Sequence, residues 1–439
     1  MVKQQIRNLV QNISYPLGHF LAKIPFNLRF GAIYPRFLNI IEKLDDGQLD
    51  KEQYIINHFA KIFEFAKSHY SFYRDLYKRM GVYDLKITSL EDIKKVPIVT
   101  KTMLKNHVDE FNGSMLLNTG GTTGEPFSFY VDKNAFAREW AHMHTIWKLK
   151  GYYYTDLKLT LRGKNLGDKN FVYNAVHNEF VLNTYKGVDS FKDEIVNLFK
   201  TRKIKYLHGY PSTIFEFLKS IELFCDFREQ EIIRKNLIAC LLASEFPHSN
   251  ITEYFTKVWN LDYISWYGHS EMCVLAYDEA KNNKYKPFIS YGYPEVVDGN
   301  LIGTSYHNFD MPLIRYSTGD IVKGVEDEKG ILESFSVTEG RNADYITDLD
   351  GNRIALTALI FGRHHKAFNL VNFVQVEQLD RGKVIFYLVT ENDNILDGTE
   401  LLDLSNVNIN YEIKIINSPF KTPTGTACLE KRGIAPRVP

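Results

Sequence analysis

Cysteine is scarce in this chain: Cys225, Cys240, Cys273 and Cys428 are its only four, far apart and without a C-x-x-C pair. That spacing offers neither a zinc cluster nor a disulfide framework, and free thiols in a reducing, cytoplasmic setting are the expectation. No apolar run reaches the roughly 18 residues that a membrane-spanning helix needs. The N-terminal apolar stretches are broken by Gln, Asn and Pro, unlike a signal peptide. Excess charge of either sign is missing too, since Lys+Arg and Asp+Glu both number 53. A chain-wide nucleic-acid footprint would need a basic surplus, so nucleic acid is not expected as a partner.

The balance fails in one place. No acid precedes Glu42, whereas Lys3, Arg7, Lys23, Arg29 and Arg36 do. Interleaved with Leu9, Ile13, Phe20, Leu21, Phe26, Leu28 and Phe30, they make residues 1–45 a basic amphipathic arm. Such an arm suits an anionic membrane surface, and equally suits packing on its own protein.

The chain has 439 residues, 44% of them hydrophobic, enough for two or three domains and a large core. Its 27 Tyr and 30 Phe add flat apolar surface for a core and for binding walls. Apolar spacing at Ile55, Phe59, Ile62, Phe63 and Ala66 predicts a helix from about Glu52 to Tyr77. Ser89-Leu-Glu-Asp reads as a helix start, and VPIVTK (96–101) as a short extended piece leading into another helix. From Lys203 to Gly268 the texture alternates. KIKYLHG, NLIACLLASE and LDYISWYG read as strands, with PSTIFEFLKSIELF and NITEYFTKVW as helices between them. That alternation predicts a mainly parallel α/β sheet. After Glu339 come an Asp350-Gly351 turn and two strands joined around Arg381-Gly382, so a boundary is expected at 340–344.

NTGGTTGEP, Asn118 to Pro126, carries the strongest local signal. Gly120, Gly121 and Gly124 permit tight turns and close approach of an anion to main-chain N–H groups, while Thr119, Thr122 and Thr123 add hydroxyl donors. A polyphosphate needs such a loop, although the Gly-Lys-Ser/Thr ending of a Walker loop is missing. A plain surface loop could have the same composition.

With residue frequencies near ~6%, the GGTTGEP stretch would arise by chance about once in a million such chains. It resembles the phosphate loop of adenylate-forming enzymes, in particular the phenylacetate–CoA ligase branch and its capsular-polysaccharide relatives. Other segments resemble that family's motifs in the family's order: HGYPS around Tyr210, YGHSE (267–271), IRYSTGD (314–320) and EGRNAD (339–344). The resemblance implies an α/β fold with a large N-terminal domain of mainly parallel sheets flanked by helices (1–339). A hinge (340–344) and a small mobile α+β C-terminal domain (345–439) would follow. It further implies that Thr119 to Gly124, Tyr267, Gly268, Ser270, Asp320 and Arg341 hold ATP. Tyr210 and His269 would face the substrate. Glu271 would hold Mg²⁺, a hard cation that takes carboxylate oxygen, and Glu271, Thr123, Arg341 and Lys421 would act catalytically.

Two departures stand out. Thr426 follows Gly425 where the family carries its C-terminal lysine, leaving Lys421 and Lys431 as the nearest substitutes, and Ala343 alters the hinge. A Ser nucleophile at Ser270 is not supported, because Met272 takes the last place of Gly-x-Ser-x-Gly. His142/His144 and His364/His365 lack the Cys or acid spacing of a metal site.

The function expected from the resemblance is ATP-dependent adenylation of a carboxylic acid to acyl-AMP. Transfer to a thiol or amine acceptor would follow, CoA being one candidate, with surface-polysaccharide biosynthesis favoured over catabolism. The alternatives are a catabolic aryl/acyl-CoA ligase and a non-catalytic nucleotide- or acyl-AMP-binding protein. The other partners considered are a membrane's inner face, met through the arm, and a second copy of the chain in a homodimer.

Overall fold

The computed structural model describes residues 13–118, 127–164, 166–184, 186–244, 247, 249–339, 345–355, 359, 373–389, 402, 404 and 407–416. The N-terminal helices form as their patterns dictate. Asp50 caps the helix Lys51–His69 by accepting the Gln53 N–H at 2.7 Å, and Ile55, Phe59, Ile62, Phe63 and Ala66 form its buried face. The helix expected to continue to Tyr77 breaks at Tyr70, whose backbone is extended, and resumes over Ser71–Arg79. Tertiary bonding causes the break: the Tyr70 hydroxyl shares its proton between the Phe309 and Asp310 carbonyls, at 2.8 and 2.9 Å. Ser89 starts the helix Leu90–Lys94 with a reciprocal capping box to Asp92.

A two-stranded ribbon follows, β1 (Met115–Asn118) antiparallel to β2 (Ser128–Val131), bringing Asn118 opposite Ser128. The main sheet has eight strands: β3 (Leu157–Lys164), β4 (Phe171–Asn174), β5 (Glu179–Asn183), β6 (Ile204–Gly209), β7 (Ala239–Leu242), β8 (Asp262–Gly268), β9 (Leu275–Asp278) and β10 (Lys286–Pro287), ordered β10-β9-β8-β7-β6-β3-β5-β4. Its centre, β5 through β8, is parallel, while β4, β9 and β10 join antiparallel at the two sides. Near-continuous apolar runs such as Ala239–Leu242 are buried throughout, as a sheet covered on both faces requires. NITEYFTKVW is a short α-helix, Ser249–Glu253, continued as a π-helical turn, Tyr254–Val258.

A second sheet, wholly antiparallel, orders β11 (Tyr293–Val297), β12 (Asn300–Thr304), β13 (Tyr316–Glu326) and β14 (Leu332–Glu339) in sequence. The fold is thus α/β with a large mixed sheet flanked by helices and a smaller β-rich C-terminal part. There, β15 (Tyr345–Thr347) pairs with β16 (Arg353–Ala355), and β17 (Phe373–Asp380) with β18 (Lys383–Val389), while β19 (Asn410–Ile416) runs parallel to β18. The turn read at Arg381-Gly382 joins β17 to β18, with Gly382 at φ +67°. This part has its own apolar cluster around Ile346, Val376, Phe386 and Leu388. Among the described residues no helix is long and apolar enough to cross a membrane.

Candidate active site

Registers across the parallel strands align Leu161, Gly209, Leu242 and Ser265 in one row near the carboxyl ends of β3, β6, β7 and β8. Open α/β sheets bind ligands just beyond such an edge. Three of the sequence segments singled out above emerge there or touch what emerges there. Gly209 is required by contact: a Cβ at that position would lie 1.9 Å from the Leu161 carbonyl oxygen. The close approach lets Tyr210 cap the helix Pro211–Phe224 at the sheet edge, its N–H donating to Leu161 O at 3.4 Å.

β8 runs out into YGHSE. The chain reverses at once, the Met272 N–H donating to the His269 carbonyl at 3.1 Å with Met272 at φ +57°. Gly268 and Ser270 stay exposed on this turn, while Glu271 is folded inward and 3% exposed. Tyr316, the tyrosine of IRYSTGD, donates its hydroxyl to Glu271 Oε1 at 3.0 Å. On the other side His269 Nδ1 lies 3.2 Å from Glu271 Oε2. The Val274 N–H donates to His269 Nε2 at 3.3 Å, so the imidazole proton sits on Nδ1 and points at the carboxylate. Burial pushes the Glu271 carboxyl up, but the bonds from His269 and Tyr316 outweigh it and hold its pKa down at about 2.

Asp320 lies in β13 of the second sheet. It meets Tyr267 across the seam between the sheets, the Tyr267 hydroxyl donating to Asp320 Oδ2 at 2.5 Å. The Tyr267 ring stands edge-on to Phe335, centroids 5.1 Å apart. The Asp320 N–H donates to Thr318 Oγ1 at 3.2 Å. The arginine of the same segment turns away from this edge. Arg315 is 4% exposed, its Nε donating to Glu295 Oε2 at 3.1 Å and its Nη1 to the Lys94 and Val96 carbonyls at 2.7 and 2.6 Å. VPIVTK is thereby clamped to β13, Val99 bridging Tyr316 in parallel.

Among the residues named from sequence, Tyr210, Tyr267, Gly268, His269, Ser270, Glu271 and Asp320 are described. Thr119, Gly120, Gly121, Thr122, Thr123, Gly124, Arg341 and Lys421 lie outside the described residues, as does Thr426. The sequence reading assigned no role to Tyr316, although it stands inside IRYSTGD. It also passed over Ser244, which follows β7 at the same edge with φ +67°, and Glu139. Glu139 accepts from the Tyr291 hydroxyl at 2.5 Å; burial pushes its carboxyl up against that bond and the nearby guanidinium groups of Arg138 and Arg162. A small cavity of about 20 Å³, room for roughly one water, lies beside Met272 between Val131, Arg138, His142, Tyr291 and His307. The two histidines His142 and His144 have separate partners, Ser290 Oγ and the Tyr34 hydroxyl, each at 2.8 Å.

No family model matches the chain. It is similar to Protein CapK of Staphylococcus aureus, 23% identical over 395 residues, covering 84% of this chain and 86% of that protein. Among solved structures it is similar to 2-hydroxyisobutyryl-CoA ligase in the postadenylation state with R3-HIB-AMP. That match has a TM-score of 0.52 at 16% identity and covers 84% of this chain and 86% of the other. The chain has the fold of the adenylate-forming ligases. The same ligase with 2-HIB-AMP and CoA gives a TM-score of 0.50 at 16% identity, over 87% of this chain and 90% of the other. This ligase fold accounts for the two sheets and the smaller β-rich part, and identities this low carry the likeness no further than the fold.

Proposed function

We propose that the protein is an ATP-dependent ligase that activates a carboxylic acid as its acyl-AMP and passes the acyl group to a thiol or amine. One observation carries the reading. YGHSE and IRYSTGD, 53 residues apart at Tyr267 and Asp320, interlock through two hydrogen bonds, Tyr267 to Asp320 and Tyr316 to Glu271. Motif matches scattered along a chain need not meet in space, and these do.

In the reaction a carboxylate oxygen of the substrate attacks the α-phosphorus of ATP. A P–O bond forms and the bond to pyrophosphate breaks. The Gly/Thr loop 119–124 has the donors to hold the departing phosphates, and Asp320 has the carboxylate chemistry to accept from a ribose hydroxyl. Tyr267 offers an aromatic face beside Asp320, and Tyr210 and His269 stand where an acyl group would lie. Glu271 suits Mg²⁺: it is ionised at neutral pH, and each of its oxygens has a lone pair beyond the one bond it already accepts. When bound there, Mg²⁺ would neutralise phosphate charge. The acceptor then attacks the acyl carbon and AMP leaves. We place the hinge for this exchange at 340–344, between a large domain (1–339) and a small one (345–439), with Arg341 and Lys421 as the mobile charges. The similarity to CapK favours a surface polysaccharide as the pathway served; in this reading CoA is one candidate acceptor.

Thr426, where the resemblance would lead one to expect a lysine, favours a second reading: a protein that binds ATP or acyl-AMP without turnover. Pyrophosphate release with ATP, Mg²⁺ and pooled acids separates the two. Release abolished by both Glu271→Ala and Asp320→Ala is expected; saturable ATP binding with no release from any acid would select the second reading.

A further inference from the structure

We infer that the first two described helices, Tyr15–Leu21 and Phe26–Phe30, form a dock for an anionic lipid surface. The inner face of the arm is fixed to the protein. Tyr15 packs on Tyr173 and Phe180 with centroids 5.2 and 5.3 Å away, Ala22 and Phe26 are buried, and Arg29 donates to the Val176 carbonyl at 2.9 Å. Gly18 comes so close to the body that a Cβ there would lie 2.5 Å from the Tyr173 ring.

The outer face is apolar and bare. Leu17, Phe20, Ile24 and Leu28 recur at helical spacing along the helices Tyr15–Leu21 and Phe26–Phe30, exposed by 57%, 67%, 39% and 73%. Backbone bonds from Lys23 and Ile24 to the Phe20 and Leu21 carbonyls extend the first winding as far as Ile24; Pro25 is extended (ψ 134°) and starts the second helix, which carries Leu28. Isolated exposed apolar residues are common, but a run of four on one short arm marks a contact surface.

Charge decides which contact. Lys23 is exposed between Phe20 and Ile24, Arg36 is exposed on the next helix, and Lys3 and Arg7 precede these helices in sequence. Arg202 lies over the Tyr15 ring at 4.3 Å, with Lys200 and Lys203 exposed beside it. No acid occurs before Glu42, roughly 13 Å along the helix axis from Ile33, and Asp45 beyond it is paired with Lys286. A protein partner would ordinarily be met by charges of both signs. Exposed Glu194 lines the same cleft as Tyr15 and Arg202, so basic charge there is in surplus rather than alone, whereas the arm itself carries no acid before Glu42. An apolar stripe with that surplus fits acyl chains below and anionic headgroups around.

The test is co-sedimentation of the full chain with two kinds of vesicle, phosphatidylcholine alone and phosphatidylcholine with about one-third phosphatidylserine. Binding to the anionic vesicles that weakens as salt is raised is expected. Phe20→Ser with Leu28→Ser should weaken it by about tenfold or more, and Lys23→Glu by roughly 25-fold, since each unit of charge is worth about fivefold and the reversal changes it by two. An unchanged melting temperature in each variant shows that the body is intact. Equal binding to both vesicle types, no binding to either, or binding undiminished in the Phe20/Leu28 variant would overturn the proposal. Concentration-dependent self-association abolished by that same variant, without lipid binding, would reassign the stripe to a second copy of the chain.

Discussion

Tyr316 donates its hydroxyl to Glu271 at 3.0 Å, joining the second sheet to the turn at the end of the first. The same tyrosine is pinned by backbone pairing with Val99, so the carboxylate is aimed by a residue that cannot easily move. Tyr316→Phe keeps the ring and removes the donor. A bond to a charged group is worth about 1.5–3 kcal/mol, so pyrophosphate release should fall by roughly ten- to a hundredfold. Loss of the bond also raises the Glu271 pKa, so the acid limb of the pH–rate profile should move to higher pH. A lower rate with an unmoved limb would separate Tyr316 from the Glu271 charge.

Glu271 also links stability to pH. Its folded pKa of about 2 lies below the ordinary 4.5, so the group stabilises the fold above about pH 4.5 and loses that contribution as pH falls through about 2. The difference corresponds to about 3 kcal/mol. Glu271→Gln cannot respond to pH at this position. The gap in denaturation midpoint between wild type and variant should therefore narrow on acidification from about pH 6 to about pH 3; a constant gap would contradict it.

Arg315 and Glu295 form a pair with both partners less than 10% exposed. Burial pushes the Glu295 carboxyl up, and Arg315 opposes it. Arg315→Met leaves a buried acid without its partner and frees the Lys94 and Val96 carbonyls, so a loss of about 3–5 kcal/mol is expected. Adding Glu295→Leu should recover part of it, because the orphaned charge goes too. A double variant no more stable than the single would assign the loss to the clamp on Lys94 and Val96 alone.

Gly209→Ala puts a methyl group into the Leu161 carbonyl, backbone against backbone, and neither strand can yield without breaking the row that aligns β3, β6 and β7. The expected cost is about 3 kcal/mol or more, read as a fall in melting temperature. A variant as stable as the wild type would show that the two strands are further apart in solution.

Thr426→Lys supplies the charge that the family resemblance leads one to expect after Gly425. If that absence limits the chemistry, pyrophosphate release should rise by ~10²–10³-fold. An unchanged rate in an active wild type would leave Lys421 or Lys431 as the substituting cation.

The strands around KIKYLHG, NLIACLLASE and LDYISWYG were legible because buried parallel strands read as unbroken apolar runs, and Ser89 because a capping box is local in sequence. The break at Tyr70 was not legible. The helical pattern runs through it, and the carbonyls that hold its hydroxyl come from Phe309 and Asp310. Glu139 was hidden for a similar reason, since a lone acid in a helix shows nothing until Tyr291 and burial surround it.

By itself the sequence determined the alternation of strands and helices and the charge imbalance of the arm, because period and net charge are properties of short stretches. Only the tertiary structure decided that Tyr267 meets Asp320, that Tyr316 rather than Arg315 serves Glu271, and that the arm packs one face and leaves Phe20 and Leu28 bare. Those outcomes depend on sheet register and on which buried polar groups find partners across distant segments. The free energy that selects among them comes from burial, which no short stretch carries alone.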